Sequence, residues 1–563
     1  MPRRVQKSSL TLLFGWTLLF GWVAVALLVA AGAALAQAPD ARTRDQVRAL
    51  ITRASLASLR HPDFATYRQP LEAFYGPAGK APQWLTANGL WRAGVAELSA
   101  ASDHGLEPSD YDVDWLNREF AAIAAGDVAP ERVARADVAL TVSLFRLLSD
   151  LHRGRVGPAG AGIKFSAGEK PLDVAALVRG SLASGNVHDA VAAAEPTFTL
   201  HRRLEEALLR YRALAATPLP PLPELPKGTR KVEPGGIYAG VAAIAERLRR
   251  VGDLPADAVI PGDNRYTGAL VKAVSVFQDR HGLKPDGILG RDTLAALATP
   301  LEARVRQLEL SLERLRWLPE FPAAPLIAVN IPSFRLWAFS DAHDDRAAQL
   351  SMPVIVGRAA NARKTPVFIG EMRYLEFSPY WNIPPTIQKS EIVPRLARDP
   401  AYWEKEELEA VATGGRGASI TTLDAETLAG LRKGALRVSQ RPGAKNALGG
   451  VKFVLPNTMD IYLHGTPAQR LFGETRRDLS HGCIRVADPP ALAAFVLGDQ
   501  LEWTGERIAA AMDAGKTSTV RLKRPIPVVI FYTTAIVDST GRVLFQSDIY
   551  DDDRKLESAL RAR

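Results

Sequence analysis

One stretch of this 563-residue chain concentrates side chains able to do covalent chemistry. It runs Asp460-Ile461-Tyr462-Leu463-His464-Gly465-Thr466-Pro467 and, after a short gap, Leu479-Ser480-His481-Gly482-Cys483-Ile484-Arg485-Val486. The chain's single cysteine lies in it, with two of its nine histidines. The thiolate is the nucleophilic form of cysteine, and with a free pKa near 8.5 only a few per cent is present at neutral pH. A neighbouring imidazole raises that fraction. Gly482 lets the backbone turn tightly before the nucleophile, and the N–H groups of Gly482 and Cys483 are candidate donors to a developing oxyanion. These residues alone describe a thiol acyl-transfer site. The lone cysteine also sets limits: one sulfur cannot make an intrachain disulfide, a cysteine zinc cluster or an iron–sulfur site.

Composition narrows the class further. Apolar residues make up 47% and charged residues 23%, which excludes wholesale disorder and a polytopic membrane protein. The net charge of +9 fits an anionic partner such as nucleic acid, anionic lipid or an acidic polymer without selecting one. The length gives a prior of three to four domains.

The elements that must hold the site follow from the pattern. Residues 1–36 have a basic start, a long apolar middle and an Ala34-Leu35-Ala36 ending, the three parts of a secretory signal peptide. The apolar run also reaches bilayer-spanning length, so an uncleaved N-terminal anchor is the rival reading. Residues 40–216 read as a helical scaffold. Its clearest helix starts at Pro130, carries Val133, Leu140, Leu144, Leu147 and Leu151 at helical spacing, and stops at Gly154. Residues 217–235 are a proline-rich linker expected to be extended and semi-rigid. Residues 236–300 show three short helical patterns, and 301–324 a connecting helix. From Pro325 to 563 the period changes to that of strands, with runs at 353–357, 365–377, 451–455, 460–463, 527–537 and 543–549. The less regular insertion at about 378–450 precedes the reactive motif and is a candidate lid. His61, His104, His152, His188 and His201 are dispersed without metal-ligand spacing.

Two of these segments resemble known families. The string Val276-Phe277-Gln278-Asp279-Arg280-His281-Gly282-Leu283-Lys284-Pro285-Asp286-Gly287 through Leu294 is similar to the three-helix peptidoglycan-binding module. His464-Gly465-Thr466, with fifteen residues (465–479) between His464 and Ser480-His481-Gly482-Cys483, resembles the signature of the L,D-transpeptidase catalytic domain. Val329–Pro332, Val354–Arg358, Thr365-Pro366, Pro379–Pro385, Asn446–Gly449 and Asp548–Tyr550 are similar to the long, multidomain Gram-negative branch of that family.

The resemblance implies a multidomain α+β protein: an export segment, an α-helical scaffold, the three-helix module and a mostly-β, sandwich-like catalytic domain with an inserted lid. It implies that Cys483 is the nucleophile and that His464 is the general base, with His481 the alternative base. The Gly465 carbonyl would orient the imidazole, and Gly482 N–H would be an oxyanion donor. Ser480, His481, Arg485, Tyr462 and Trp381 are the implied substrate-binding residues. Arg485 stands where many relatives have Asn; arginine suits a carboxylate through bidentate contacts.

The implied reaction is 3→3 cross-linking of peptidoglycan through a cysteine acyl-enzyme, with release of terminal D-Ala from a tetrapeptide stem. An L,D-carboxypeptidase or a protein-to-wall anchoring enzyme would use the same residues. Partners would be stem peptides and glycan rather than nucleic acid, with the inner membrane added if the N-terminal segment stays as an anchor. No metal or organic cofactor is implied. The expected location is periplasmic.

Overall fold

The computed structural model describes residues 41–563 except 77–80, 86–88, 166–167, 226, 344–347, 361–362 and 415–417. The signal or anchor segment, Pro226 of the linker and the Gly415-Arg416-Gly417 part of the insertion therefore lie outside the described residues. No described helix is long and apolar enough to cross a membrane. The chain divides into two compact units, one of residues up to 152 plus 171–195, the other of 153–170 plus 196–563.

The first unit is helical. Helix Pro130–Arg153 starts at the expected proline, and Gly154 follows it with φ +84°. The sequence predicts a one-sided apolar stripe, yet the helix is buried on all sides over most of 134–151. The difference comes from polar residues that pair inside the core. The Asp137 carboxylate accepts from Trp84 N–H at 2.8 Å, Gln83 N–H at 3.0 Å and the Tyr75 hydroxyl at 2.8 Å. Burial still pushes its pKa up to about 6. Such residues read as solvent-facing in a periodicity count but are satisfied internally.

In the second unit, helices Thr199–Ala215 and Leu301–Leu315 pack through Leu204, Leu208, Tyr211, Leu308, Leu312 and Leu315 against the strand-rich region. Helix 199–215, which falls within the segment read as scaffold, packs within this unit. Residues 236–300 form three helices, Val241–Arg250, Gly268–Arg280 and Arg291–Ala298, around Ile244, Leu248, Leu270, Val274 and Phe277. The proline-rich segment does not stand off as a spacer. Val232 is buried in the module core, Val232 pairs with Leu289, and the carbonyls of Pro220 and Pro223 accept from Arg247 and the Tyr238 hydroxyl. Prolines keep their carbonyls as acceptors, and buried donors of the module claim them.

The catalytic region contains fourteen strands among the described residues: β1 Leu326–Asn330, β2 Arg335–Phe339, β3 Leu350–Gly357, β4 Phe368–Phe377, β5 Trp381–Asn382, β6 Leu408–Ala412, β7 Leu436–Gln440, β8 Val451–Val454, β9 Leu463–His464, β10 Asp478–Ser480, β11 Ile484–Val486, β12 Ser518–Phe531, β13 Ala535–Val537 and β14 Val543–Phe545. The main sheet runs β10-β3-β11-β9-β8-β4-β12-β1-β2, and β2 also pairs with β3. The hydrogen-bonded order thus closes on itself around a single core drawn from all but the short β10. β12 starts well before the expected Pro527 and shifts register between Arg521 and Ile526.

The insertion leaves and re-enters the sheet between paired neighbours. Phe377 of β4 faces Val451 of β8, and Ser378 N–H donates to Gly450 carbonyl at 2.8 Å. The intervening chain folds as its own small unit. It has a sheet ordered β5-β7-β6, helical turns over 385–398 and 425–433, and a core that includes Ile383, Leu396, Trp403, Leu408 and Val438.

Candidate active site

Strand alternation decides which side chains meet. Side chains two apart share a face of a strand, and paired residues of neighbouring strands lie side by side. β9 and β11 run parallel, with Leu463 opposite Ile484 and His464 opposite Arg485. Leu463, Ile484 and Val486 point into the core, as do Phe453 of β8 and Leu375 and Phe377 of β4. The intervening residues therefore share the other face. One row there reads Glu376–Lys452–His464–Arg485 across β4, β8, β9 and β11. The next holds Tyr462 beside Cys483. Four of the residues read from the motif thus occupy two adjacent rungs of one sheet face.

His464 is 5% exposed, and its Nδ1 lies 2.5 Å from the Gly465 carbonyl oxygen. A carbonyl only accepts, so Nδ1 carries the proton and Nε2 is left as the basic nitrogen. Burial, then the Arg485 charge, lower the imidazole pKa to about 3 against the pull of the Gly465 and Leu448 carbonyls. Gly449 holds this arrangement in place: its φ is +66°, and a Cβ there would sit 2.7 Å from Thr466 N. Asn446 ties the end of the insertion to its beginning by donating to the Pro379 carbonyl at 3.0 Å.

Cys483 keeps part of its surface accessible. Burial raises the thiol pKa, partly offset by hydrogen bonds from the backbone N–H and phenol of Tyr462 and by the Lys452 charge. The thiol donates to the Asp460 carbonyl at 3.5 Å. Among the described residues there is no hydrogen bond between Cys483 and His464. Burial thus favours the neutral form of both the thiol and the imidazole. The sequence suggested Tyr462 only as a pocket aromatic; its contact with the sulfur comes from being the rung partner of Cys483.

The turn before the cysteine corrects one expectation. Gly482 has φ +128°, a conformation that favours glycine. Its N–H does not face the reaction space; it donates to Ser480 Oγ at 3.1 Å, while that hydroxyl donates to the Cys483 carbonyl at 2.6 Å. The Cys483 N–H has no acceptor among the described residues and is the donor left for an oxyanion.

His481 is held elsewhere. Its Nε2 lies 2.8 Å from Glu391 Oε1 of the insertion, and Arg363 donates to the same oxygen at 2.7 Å. Hydrogen bonding by His481 and the charge and hydrogen bond of Arg363 keep the Glu391 carboxyl low despite partial burial. No local signal in the sequence points to Glu391, which is ninety positions from its partner.

Arg485 and Trp381 line one cleft between the insertion and the sheet, with Tyr402, Glu406, Lys445 and Thr466. Burial, then Arg358, lower the Arg485 pKa. Its Nε is buried without a hydrogen-bond partner, and neither arginine forms an ion pair among the described residues. A guanidinium in this state has an unmet demand for an anion.

Comparisons with known proteins identify what the chain is similar to. Family models match as an L,D-transpeptidase catalytic domain over residues 324–530, a scaffold domain over 69–208 and a peptidoglycan-binding domain over 238–297. These three matches fall on the segments where the resemblance implied a catalytic domain, a scaffold and a peptidoglycan-binding module. A curated protein of Haemophilus influenzae, provisionally named an L,D-transpeptidase, is 32% identical over 276 residues, 48% of this chain and 54% of that protein. The chain thus matches about half the length of this relative. A crystal structure of part of an L,D-transpeptidase from Xylanimonas cellulosilytica aligns over 55% of this chain and 100% of its own at 14% identity; its TM-score is 0.16, too low to bear on the fold.

Proposed function

We propose that this protein is an exported L,D-transpeptidase that forms 3→3 peptidoglycan cross-links. The observation that carries this reading is the His464–Arg485 pair of β9 and β11, with Tyr462 hydrogen-bonded to Cys483 just before it in both strands. Cys483 attacks the carbonyl of the third residue of a tetrapeptide stem. The sulfur turns from the Asp460 carbonyl toward His464, whose Nε2 takes the thiol proton as the C–S bond forms. The Cys483 N–H steadies the oxyanion. The C–N bond to terminal D-Ala breaks, and the proton on His464 passes to the departing amine. In the second half, an amine of a neighbouring stem attacks the thioester, loses a proton through His464, and returns the sulfur as thiol. Arg485, at the wall of the cleft, takes a stem carboxylate, and Trp381 packs against the chain beside it. Peptidoglycan as substrate also accounts for the companion peptidoglycan-binding domain.

The test is mass spectrometry of the full chain incubated with a tetrapeptide muropeptide. A cross-linked dimer with loss of D-Ala is expected, and Cys483→Ala is expected to lose it while staying folded. A tripeptide product alone would make water the acceptor and the protein an L,D-carboxypeptidase. Cross-linking that persists in Cys483→Ala would overturn the assignment.

A further inference from the structure

We infer that Thr365 and Tyr550, far apart in sequence and outside the reactive motif, are positioning residues that aim the Cys483 N–H at the oxyanion. The inference rests on the acyl-transfer reading above.

A peptide unit is planar, with its carbonyl and N–H pointing in opposite directions. Whatever holds the Gly482 carbonyl therefore sets the direction of the Cys483 N–H. That carbonyl accepts from Thr365 Oγ1 at 2.7 Å. A hydroxyl can rotate, but this one has no freedom to do so. Gly357 N–H donates into Thr365 Oγ1 at 2.8 Å, so the oxygen's own proton is committed to Gly482. Thr365 is itself fixed by Tyr550, whose phenol oxygen accepts from Thr365 N–H at 3.1 Å and whose O–H donates to the Gly357 carbonyl. Both polar groups of Gly357 and the N–H and hydroxyl of Thr365 are thus tied into one buried ring of hydrogen bonds. Thr365 is 2% and Tyr550 3% exposed.

The surroundings leave this ring little room to shift. A Cβ at Gly357 would lie 2.0 Å from the Arg363 carbonyl, so only glycine lets the two segments close. Tyr550 N–H donates to the Tyr532 hydroxyl at 3.0 Å, and that hydroxyl donates to Asp548 at 2.5 Å. Lys364 Nζ donates to the Tyr550 carbonyl at 2.6 Å. With the Gly482 N–H already spent on Ser480, the catalytic turn has one donor to offer, and its direction is set from behind by Thr365 and Tyr550.

Two reactions of the same sulfur separate this role from simple support. Acylation of Cys483 by a carbapenem passes through an oxyanion; alkylation by iodoacetamide does not. Thr365→Val and Tyr550→Phe in the full chain are expected to slow acylation about ten- to hundredfold, since misaiming one oxyanion donor costs somewhat less than deleting it. Alkylation rates are expected to stay within about twofold of the parent, because the sulfur's own environment is unchanged. Thr365→Ser, which keeps the hydroxyl, is expected to restore acylation. Parallel loss of both rates, or no loss of acylation, would overturn the inference. A parent protein that alkylates at Cys483 but is never acylated would instead overturn the acyl-transfer reading, and this inference with it.

Discussion

Burial, more than any mutual contact, sets the proton-binding tendencies of Cys483 and His464. Burial holds the thiol pKa above its ordinary value and takes the imidazole down to about 3. A preformed thiolate–imidazolium pair would react at a constant rate across neutral pH. This pair has the opposite signature. Alkylation of Cys483 by iodoacetamide is expected to climb about tenfold per pH unit through the neutral range, following the thiolate fraction of an unpaired thiol. A plateau near neutral pH would show an ion pair instead. Arg485 belongs to the same scale. Its guanidinium lines the cleft and forms no ion pair among the described residues, so Arg485→Ala is expected to raise KM for tetrapeptide stems by about tenfold or more, the worth of a charge-assisted contact. Arg485→Lys, which keeps charge but not the planar fork, is expected to fall between. An unchanged KM would remove Arg485 from substrate binding.

Between elements, the contact that matters most is Glu391 of the insertion with His481 and Arg363. The Glu391 side chain is 40% exposed, so as an ion pair it is worth about 1 kcal/mol or less. Its consequence is positional, because it joins the insertion to the loop carrying Cys483. Glu391→Ala is expected to leave the melting temperature nearly unchanged while hydrogen exchange over 385–398 accelerates and KM rises. Unchanged exchange with a large loss of stability would show a structural pair only. The insertion at about 378–450 was legible in the sequence as an interruption of strand pattern, and in the structure β4 ends at Phe377 and β8 begins at Val451. Its internal sheet was not legible. β5 has two residues, and β6 and β7 pair across a helix, so no short window carries their register. The same holds for β9, which gains strand character from β8 and β11 on either side and not from its own length.

At the scale of the second unit, the peptidoglycan-binding module is docked on the catalytic region by residues of its own signature. His281 stacks on Phe277 with ring centroids 3.7 Å apart and on Phe545 of β14 at 5.6 Å. Arg280 pairs with Asp253 at 2.6 Å and donates to the Val543 carbonyl at 3.4 Å. Burial, then Arg280 and Arg304, hold the His281 pKa well below 6.5. The unfolded chain binds this proton more readily than the folded one, so stability is full above about pH 6.5 and is lost as pH falls toward the folded pKa. The unit is expected to melt earlier at about pH 5 than at about pH 7 from this source. His281→Phe is expected to flatten that dependence; an unaltered pH profile in the variant would show that other groups dominate.

Sequence alone determined the chemistry that can be attempted here. A single cysteine, the His464-to-Cys483 spacing, the glycine before the nucleophile and the helix and strand periods are local properties. They survive in a linear reading because backbone conformation and side-chain reactivity act over a few residues. Tertiary structure decided what the reading could not. It turned the Gly482 N–H away to Ser480 and left the Cys483 N–H without an acceptor among the described residues. It gave His481 to Glu391, put Tyr462 against the sulfur, and brought Thr365 and Tyr550 behind the catalytic turn. Each of these depends on strand register and loop closure across tens to hundreds of residues, where a one-residue slip would reverse every face. Burial itself, which fixes the charge states of the reacting pair, is a property of the packed chain and has no address in the sequence.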